Sequence, residues 1–191
     1  GEILVADLGV HKKRYETPSP WKLLESQDLS LPNRIRASSH KGSYGHLAVV
    51  CGEKAGASVI AASAALRFGT GLVSLISNEN VIIPYELMQS HSIPSTATAI
   101  ALGMGLGAEF CDDELSSLLD NTLPLVLDAD IFYHPMFAKL LKRTSLVLTP
   151  HPKEFTQILR LTGIADIDVS TLQNHRFAFV EQFCSAYPNA V

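Results

Sequence analysis

The sequence has few cysteines, and this limits the kinds of protein it can encode. Its 191 residues include only Cys51, Cys111 and Cys184, which form no Cys-x-x-Cys pair and leave one thiol over from any disulfide pairing. A disulfide scaffold and a cysteine-based zinc site are therefore disfavoured. A reducing, cytoplasmic location is expected.

The sequence also lacks clustered positive charge and long apolar runs. The net charge is −4, and apart from the short run Lys12-Lys13-Arg14 the lysines and arginines are dispersed, which argues against nucleic acid as the main partner. The most apolar stretch, 57–76, is interrupted by Arg67, Gly69 and Gly71, so we interpret it as a buried helix and strand and not as a membrane span. Because 47% of the residues are hydrophobic, we expect one domain with a well-filled core.

Short apolar runs alternate with longer segments of helical spacing. A helix over 57–68 contains almost no polar side chain, so we expect it to be covered on nearly every side. Several of the strands are continuously apolar, which is typical of a parallel sheet covered on both faces, and an α/β fold is predicted. Predicted strands are 47–51, 72–76, 100–102, 125–127 and 146–148; predicted helices are a short one after Pro84, then 112–119, 136–142, one from Pro152 and one capped by Ser170.

Four polar or glycine-rich segments each follow a predicted strand directly. They are 52–56, 103–107, 128–130 and 149–154. Since the carboxyl ends of parallel strands meet at one edge of a sheet, these segments should lie together. Ligands of open α/β sheets bind beyond that edge, so we expect the binding site there.

The glycine run Gly103-x-Gly105-x-Gly107 allows two interpretations. The three glycines could serve tight packing alone, or they could bring backbone N–H groups close to a pyrophosphate or a ring. Of the two aspartates in 128–130, we expect Asp128 to cap a neighbouring turn and Asp130 to have a functional role. Both would point to the same side only if the strand continued through them.

His151 stands between two prolines at the predicted start of a helix. Pro150 disfavours the α region for the residue before it, and Pro152 can begin a helix without losing a hydrogen bond. A lone histidine is more often a packed or surface residue than a catalyst. At this corner, hydrogen bonding to an anionic or amide ligand is favoured over proton transfer.

Six ordered motifs resemble those of the ADP/ATP-dependent NAD(P)H-hydrate dehydratases of the ribokinase-like superfamily. The resemblance spans 40–161 and is carried by 40–45 (His-Lys-Gly-Ser-Tyr-Gly), 66–73, 84–88, 103–107, 126–130 and 148–155. Residues 1–9 resemble the closing strand of the NAD(P)H-hydrate epimerase domain that precedes the dehydratase in bifunctional bacterial proteins. We accordingly expect an epimerase tail over 1–9, a linker over 10–39 and the N-terminal part of a dehydratase domain over 40–191.

The resemblance implies a repair enzyme for hydrated NADH and NADPH. Such an enzyme uses ADP or ATP with Mg²⁺ to phosphorylate the hydroxyl of the hydrate, and loss of phosphate restores the reduced cofactor. By motif, the substrate-binding residues would be Ala57, His151 and the glycines Gly103, Gly105 and Gly107, with Asp130 nearby. The expected partners are these small molecules and not nucleic acid or a membrane, and a homo-oligomer is expected.

The sequence departs from the family pattern in four places, two of which are Met104, where the family usually has proline, and Lys153, where it usually has glycine. After Asp130 it has Ile-Phe-Tyr at 131–133, where the family usually has Ala-Leu-Asn. The Gly-x-Gly-Asp segment that forms the anion hole and supplies the catalytic aspartate would lie beyond Val191. We therefore expect no catalytic residue within this chain, an incomplete domain, and no activity from the chain alone. Two alternatives stay open: a ribokinase-like kinase of a sugar or hydroxymethylpyrimidine, and an inactive nucleotide-binding or assembly module.

Overall fold

The computed structural model divides the chain into two compact units, Gly1–Asn33 and Arg34–Val191. It describes residues 9, 11, 21, 24–30, 37–107 and 112–191. Within the first unit, a 3-10 turn at Ser26–Asp28 is closed by the Glu25 N–H, which donates to the Asp28 carboxylate at 2.9 Å. The predicted strand in 1–9 lies outside the described residues except for Gly9, and the domain divisions at residues 9 and 39 stay predictions.

The second unit is built on a six-stranded, all-parallel sheet in the order β3-β2-β1-β4-β5-β6. The predicted α/β class is confirmed. In chain order the strands are β1 His46–Val50, β2 Leu72–Ile76, β3 Met88–Ser90, β4 Ala99–Leu102, β5 Leu125–Leu127 and β6 Leu146–Leu148.

Five helices flank the sheet in the described part of this unit. They are α1 Ala55–Phe68, α2 Asp112–Leu118, α3 Phe137–Leu140, α4 Pro152–Leu161 and α5 Val169–Ala186. None of the helices in the described part of the chain combines the length and apolar composition that crossing a bilayer requires.

Buried apolar side chains form two clusters. The smaller one places Ala62 of α1 against Val49 of β1 and Leu75 of β2. The larger one contains Phe132 and Phe137, whose rings meet edge to face at 5.4 Å. Strands buried in this way need apolar residues at successive positions, which explains their continuous apolar runs.

The structure corrects three sequence-based predictions of local structure. The residues after Pro84 form a turn, closed by the Leu87 N–H on the Pro84 carbonyl, and then β3 instead of a helix. A three-residue strand is too short to show a period of two, so its pairing with β2 was not visible in the sequence. Helix α5 is capped by Asp168, whose carboxylate accepts from the Thr171 N–H at 2.8 Å, and not by Ser170.

The third correction concerns α1, which is not covered on nearly every side. Ser58 and Ala62 face the sheet and are buried, whereas Ile60 and Phe68 are 72% and 71% exposed. One face of a helix is enough to cover β1 and β2. The apolar composition of the other face is therefore not explained by packing within the described part of the chain.

Candidate functional site

The turn after β1 lies directly on the glycine run after β4. The Lys54 N–H donates to the Gly105 carbonyl at 3.0 Å, and the Glu53 N–H donates to the Leu106 carbonyl at 3.3 Å. A Cβ atom built on Gly52 would lie 2.1 Å from the Leu106 carbonyl oxygen. Only glycine allows the two backbones to come this close.

The three glycines of the run have backbone geometry that other residues rarely adopt. Gly103, Gly105 and Gly107 have φ angles of 112°, 70° and 77°. A Cβ atom on Gly103 would lie 1.8 Å from the Asp128 carbonyl oxygen, and one on Gly107 would lie 2.1 Å from the carboxyl carbon of Glu53. Tight packing thus requires these glycines, and their contact with a ligand stays a prediction.

Asp130 holds the end of the glycine run. Its carboxylate Oδ2 accepts a hydrogen bond from the Gly107 N–H at 3.0 Å, and its own N–H donates to the Gly103 carbonyl at 3.3 Å. The Lys54 Nζ lies 3.8 Å from the same carboxylate oxygen. Because the Asp130 side chain is 33% exposed, a carboxylate remains at the rim that can accept a hydrogen bond from a ligand hydroxyl.

Asp128 has a structural role, but not the turn-capping role that the sequence predicted, because at the N-cap of the turn Ala129–Tyr133 its side chain makes no capping bond. Its Oδ1 accepts a hydrogen bond from the Thr149 hydroxyl at 2.9 Å, which joins the end of β5 to the end of β6. The strand ends at Leu127, and Ala129 turns the chain with a φ of 55°. Asp128 and Asp130 therefore do not continue one pleat.

The bulky residues after Asp130 are accommodated in the core. Ile131 and Phe132 are fully buried, and Tyr133 is half exposed. The pKa of the Tyr133 hydroxyl is raised, first by burial and then by the negative charges of Glu154 and Asp130. Tyr133 therefore stays a hydrogen-bond donor at neutral pH, within electrostatic reach of both carboxylates.

His151 is the N-cap of α4, as its sequence context predicted. Its Nδ1 accepts hydrogen bonds from the backbone N–H groups of Lys153 at 3.2 Å and Glu154 at 3.3 Å, so Nδ1 carries no proton. The Nε2 atom lies 3.1 Å from Glu154 Oε1, while the other oxygen of that buried carboxylate accepts the His151 N–H at 2.8 Å. Both ring nitrogens thus stabilise the helix start, and 59% of the ring side chain remains exposed to a ligand.

Ala57 lies in the first turn of α1, beside the glycine run. A Cβ atom on Gly105 would lie 3.1 Å from the Ala57 Cβ. The N-cap of α1, Lys54, makes no side-chain capping bond, and its side chain is 70% exposed. An uncapped helix N-terminus next to a lysine is suited to an anion such as a pyrophosphate.

Five of the six predicted site residues form one contiguous group at the carboxyl edge of the sheet: Ala57, Gly103, Gly105, Gly107 and Asp130. The sixth, His151, begins α4, which packs on the turn Ala129–Tyr133. Their convergence at one edge is confirmed, and their individual roles stay predictions.

Sequence reasoning missed three polar side chains of this site. Glu53 and Lys54 belong to a segment that the sequence did single out, but no pattern showed that they would meet Gly107 and Asp130. The sequence marks Tyr133 only as a departure from a family pattern. Placing these side chains requires the packing of loops from different strands.

The described residues do not by themselves provide a magnesium centre. Among them, no three histidine, cysteine, aspartate or glutamate side chains come together as metal ligands. The two aspartates after β5 are engaged with Thr149 and Gly107. Mg²⁺ is commonly held by one or two carboxylates together with substrate phosphates, so a fitting site would need the phosphates as well.

A comparison with protein-family models decides the family. The model described as NAD(P)H-hydrate dehydratase matches residues 47–191, which includes the whole sheet except His46. The chain belongs to the NAD(P)H-hydrate dehydratase family. The resemblance first seen in the ordered motifs is thereby confirmed.

Individual relatives support the same family assignment. The chain is 40% identical to a bifunctional NAD(P)H-hydrate repair enzyme of Helicobacter pylori, over 100% of this chain and 41% of that protein. A protein of the same name from Coxiella burnetii is 32% identical, over 98% of this chain and 41% of its own length. The chain thus spans about two fifths of these relatives.

A solved structure shows the same fold. It is the ADP/ATP-dependent NAD(P)H-hydrate dehydratase from Bacillus subtilis, co-crystallised with ATP and Mg²⁺. Its TM-score is 0.62 and its identity is 30%, over 83% of this chain and 60% of that chain. The ribokinase-like architecture expected from the motifs is consistent with this match.

Proposed function

We propose that the intact protein repairs hydrated NADH or NADPH by dehydration that depends on ADP or ATP. The observation that carries the proposal is the junction of the β1 turn, the glycine run and Asp130 at the carboxyl edge, in a chain of the dehydratase family. This chain would form the wall of the hydrate pocket.

In the proposed reaction, the hydrate hydroxyl oxygen attacks the terminal phosphorus of the nucleotide, and the shortened nucleotide leaves. The ring C–O bond then breaks with loss of inorganic phosphate, a proton leaves the neighbouring carbon, and the ring double bond re-forms. The names of the relatives support the use of ADP or ATP. Mg²⁺ would neutralise charge on the transferring phosphoryl group, and the described residues would not hold it without phosphates.

The residues of this chain would bind and orient the hydrate. Ala57, Gly107 and His151 would contact it, and Asp130 would accept a hydrogen bond from a hydroxyl while it keeps the glycine run in place. Lys54 and the uncapped start of α1 would attract the phosphates of the substrate. We further propose that the protein acts in the cytoplasm as a homo-oligomer.

The direct test is recovery of the reduced nicotinamide absorbance. The intact protein is incubated with hydrated NADH or NADPH, Mg²⁺, and ADP or ATP in turn. Recovery with either nucleotide supports the proposal, and no recovery with both would refute it. A phosphorylated product that accumulates without elimination would identify a small-molecule kinase instead.

A pair of His151 variants separates ligand contact from helix capping. His151→Ala removes both, whereas His151→Ser keeps a side-chain oxygen that can cap α4. If the ring contacts the hydrate, both variants should weaken hydrate binding more than nucleotide binding. Equal losses of hydrate and nucleotide affinity, or full hydrate affinity in His151→Ser, would remove His151 from the substrate pocket.

A further inference from the structure

The outer face of α1, on the side away from the sheet, is apolar and exposed. Ile60 and Phe68 leave most of their side chains uncovered in the described part of the chain. A shallow groove of about 600 Å³ runs along this face and is lined by Val59, Ile60, Ser63, Ala64, Arg67 and Phe68. Neither the core nor the proposed reaction gives this face a role, and exposed apolar patches of this kind are typical of interaction surfaces.

The exposed residues of α1 form one stripe along the helix. Gly56, Ile60, Ala64, Arg67 and Phe68 are exposed and follow one another at intervals of three and four residues, so they share one side of the helix. The residues that α1 buries lie on the opposite side, against β1 and β2.

This stripe is complementary to a second copy of itself. If two α1 helices pack antiparallel with a two-fold axis at the level of Ala62, residues equally far from that level face each other. Ile60 then faces Ala64 of the partner subunit, and Phe68 faces Gly56 of the partner subunit. Each large side chain meets a small residue, which lets the helix axes approach to about 8 to 10 Å. A two-fold interface requires a surface that is self-complementary in this way.

The charges at the two ends of α1 fit the same arrangement. Between Lys54 and Arg67 the sequence has no charged residue, so the centre of the helix pair would bury no charge. The start of the helix is net negative, because Glu53 precedes it and Lys54 lies 3.8 Å from the carboxylate of Asp130. In the antiparallel pair, Arg67 of the partner subunit comes to this negative end, about 6 Å along the helix axis from Glu53.

The segment before β3 adds apolar surface on the same side of the sheet. Val81 and Ile83 pack on the core cluster between α1 and the sheet, whereas Ile82 and Tyr85 are fully exposed. A stable interface buries about 800 Å² of each partner, which is more than one helical stripe provides. Because a buried aromatic side chain accounts for about 150 to 250 Å², Phe68 and Tyr85 can supply a large share of this area.

We propose that the outer face of α1 is an interface with a second copy of this chain, in which the two α1 helices pack antiparallel about a two-fold axis. The inference rests on the proposed function only in taking the protein to be a homo-oligomer, and it is independent of the reaction. Another part of the same protein could also cover an apolar face, but such a contact would not require the face to be complementary to itself.

Charge substitutions in the stripe test the interface on the intact protein. Sedimentation equilibrium gives the mass of the wild type, of Ile60→Glu and Ala64→Lys, and of the control Leu161→Glu, which changes an exposed apolar residue at the end of α4. Ile60→Glu should halve the mass of the oligomer and raise its dissociation constant about a hundredfold or more, because each interface would enclose two carboxylates without partners. Ala64→Lys should act in the same way, and the control should keep the wild-type mass.

Mixing the two variants tests the antiparallel pairing itself. In an equimolar mixture, the carboxylate introduced at position 60 of one copy faces the ammonium group introduced at position 64 of the other, so the wild-type mass should return. This recovery also shows that both variant chains are folded. No recovery in the mixture would overturn the proposal.

The other outcomes are equally distinct. A wild type with the mass of a single chain, or an unchanged mass in Ile60→Glu, would overturn the interface. Lower thermal stability of Ile60→Glu at an unchanged mass would assign the face to another part of the same protein. A protein that loses and regains mass as expected but restores neither hydrate would retain the interface and refute the proposed reaction.

Discussion

Removing the Asp130 carboxylate should loosen the glycine run and destabilise the fold measurably. The carboxylate accepts the Gly107 N–H at 3.0 Å and lies 3.8 Å from Lys54 Nζ. A hydrogen bond to a charged group contributes about 1.5 to 3 kcal/mol when buried, and an exposed ion pair about 0 to 1 kcal/mol. Because Asp130 is 33% exposed, we expect Asp130→Ala to lower the free energy of unfolding by about 1 to 2 kcal/mol.

Urea denaturation with a matched control checks this magnitude. Asp166 also pairs with a basic side chain, Arg160, at 3.3 Å, but it is exposed and accepts no described backbone hydrogen bond. Asp166→Ala should therefore cost less than about 0.5 kcal/mol. Asp130→Asn keeps an acceptor for the Gly107 N–H, so its loss of unfolding free energy should lie between those of Asp130→Ala and Asp166→Ala.

Hydrogen exchange of the Gly107 amide reports on the bond itself. Its exchange should accelerate in Asp130→Ala and much less in Asp130→Asn, since only the alanine variant removes the acceptor. If Asp130→Ala were no less stable than Asp166→Ala and the Gly107 amide exchanged at its wild-type rate, the carboxylate would not hold the glycine run, and its assignment to the site would lose its structural basis.

Three further predictions concern backbone geometry, pH and thiol reactivity. In thermal unfolding, Gly103→Ala should lower the free energy of unfolding by about 3 kcal/mol or more, because its Cβ would lie 1.8 Å from a carbonyl oxygen at a φ of 112°. Gly163→Ala, with a φ of 70° and open space around it, should lower it by about 1 kcal/mol. Burial lowers the pKa of His46, so the free energy of unfolding should fall as the pH drops below about 6.5, where the unfolded chain binds the proton first. His46→Gln should flatten this dependence between pH 7.5 and 5.5, and a wild-type free energy of unfolding that does not change over this range would contradict the prediction. Burial also raises the pKa of the Cys51 thiol, so the exposed Cys184 should react with a thiol reagent before Cys51, and equal rates for these two thiols would argue against the burial of Cys51.

Much of the sheet and of the site edge could be predicted from the sequence. Runs such as Leu125–Leu127 are apolar at every position, which a strand buried on both faces requires, and each is followed at once by a glycine or polar segment. Parallel pairing then places these segments at one edge, whatever the order of the strands. For the same local reason, the prolines around His151 predicted the start of α4.

Other features depend on contacts between distant segments. β3 exists because three residues pair with β2, and nothing in its own sequence requires it. α1 is as apolar as a fully covered helix, yet among the described residues only one of its faces is packed, because burial is decided by what lies against a helix and not by its composition.

The sequence by itself therefore determined the α/β class, the edge at which the site lies and most of its backbone. The tertiary structure decided how the side chains are used there. In the folded protein, the Asp128 carboxylate accepts a hydrogen bond from Thr149 and the Asp130 carboxylate accepts one from Gly107. Both ring nitrogens of His151 take part in capping α4. Local patterns specify where a strand ends and a helix begins, but hydrogen-bond partners from different strands are set only when the loops pack together.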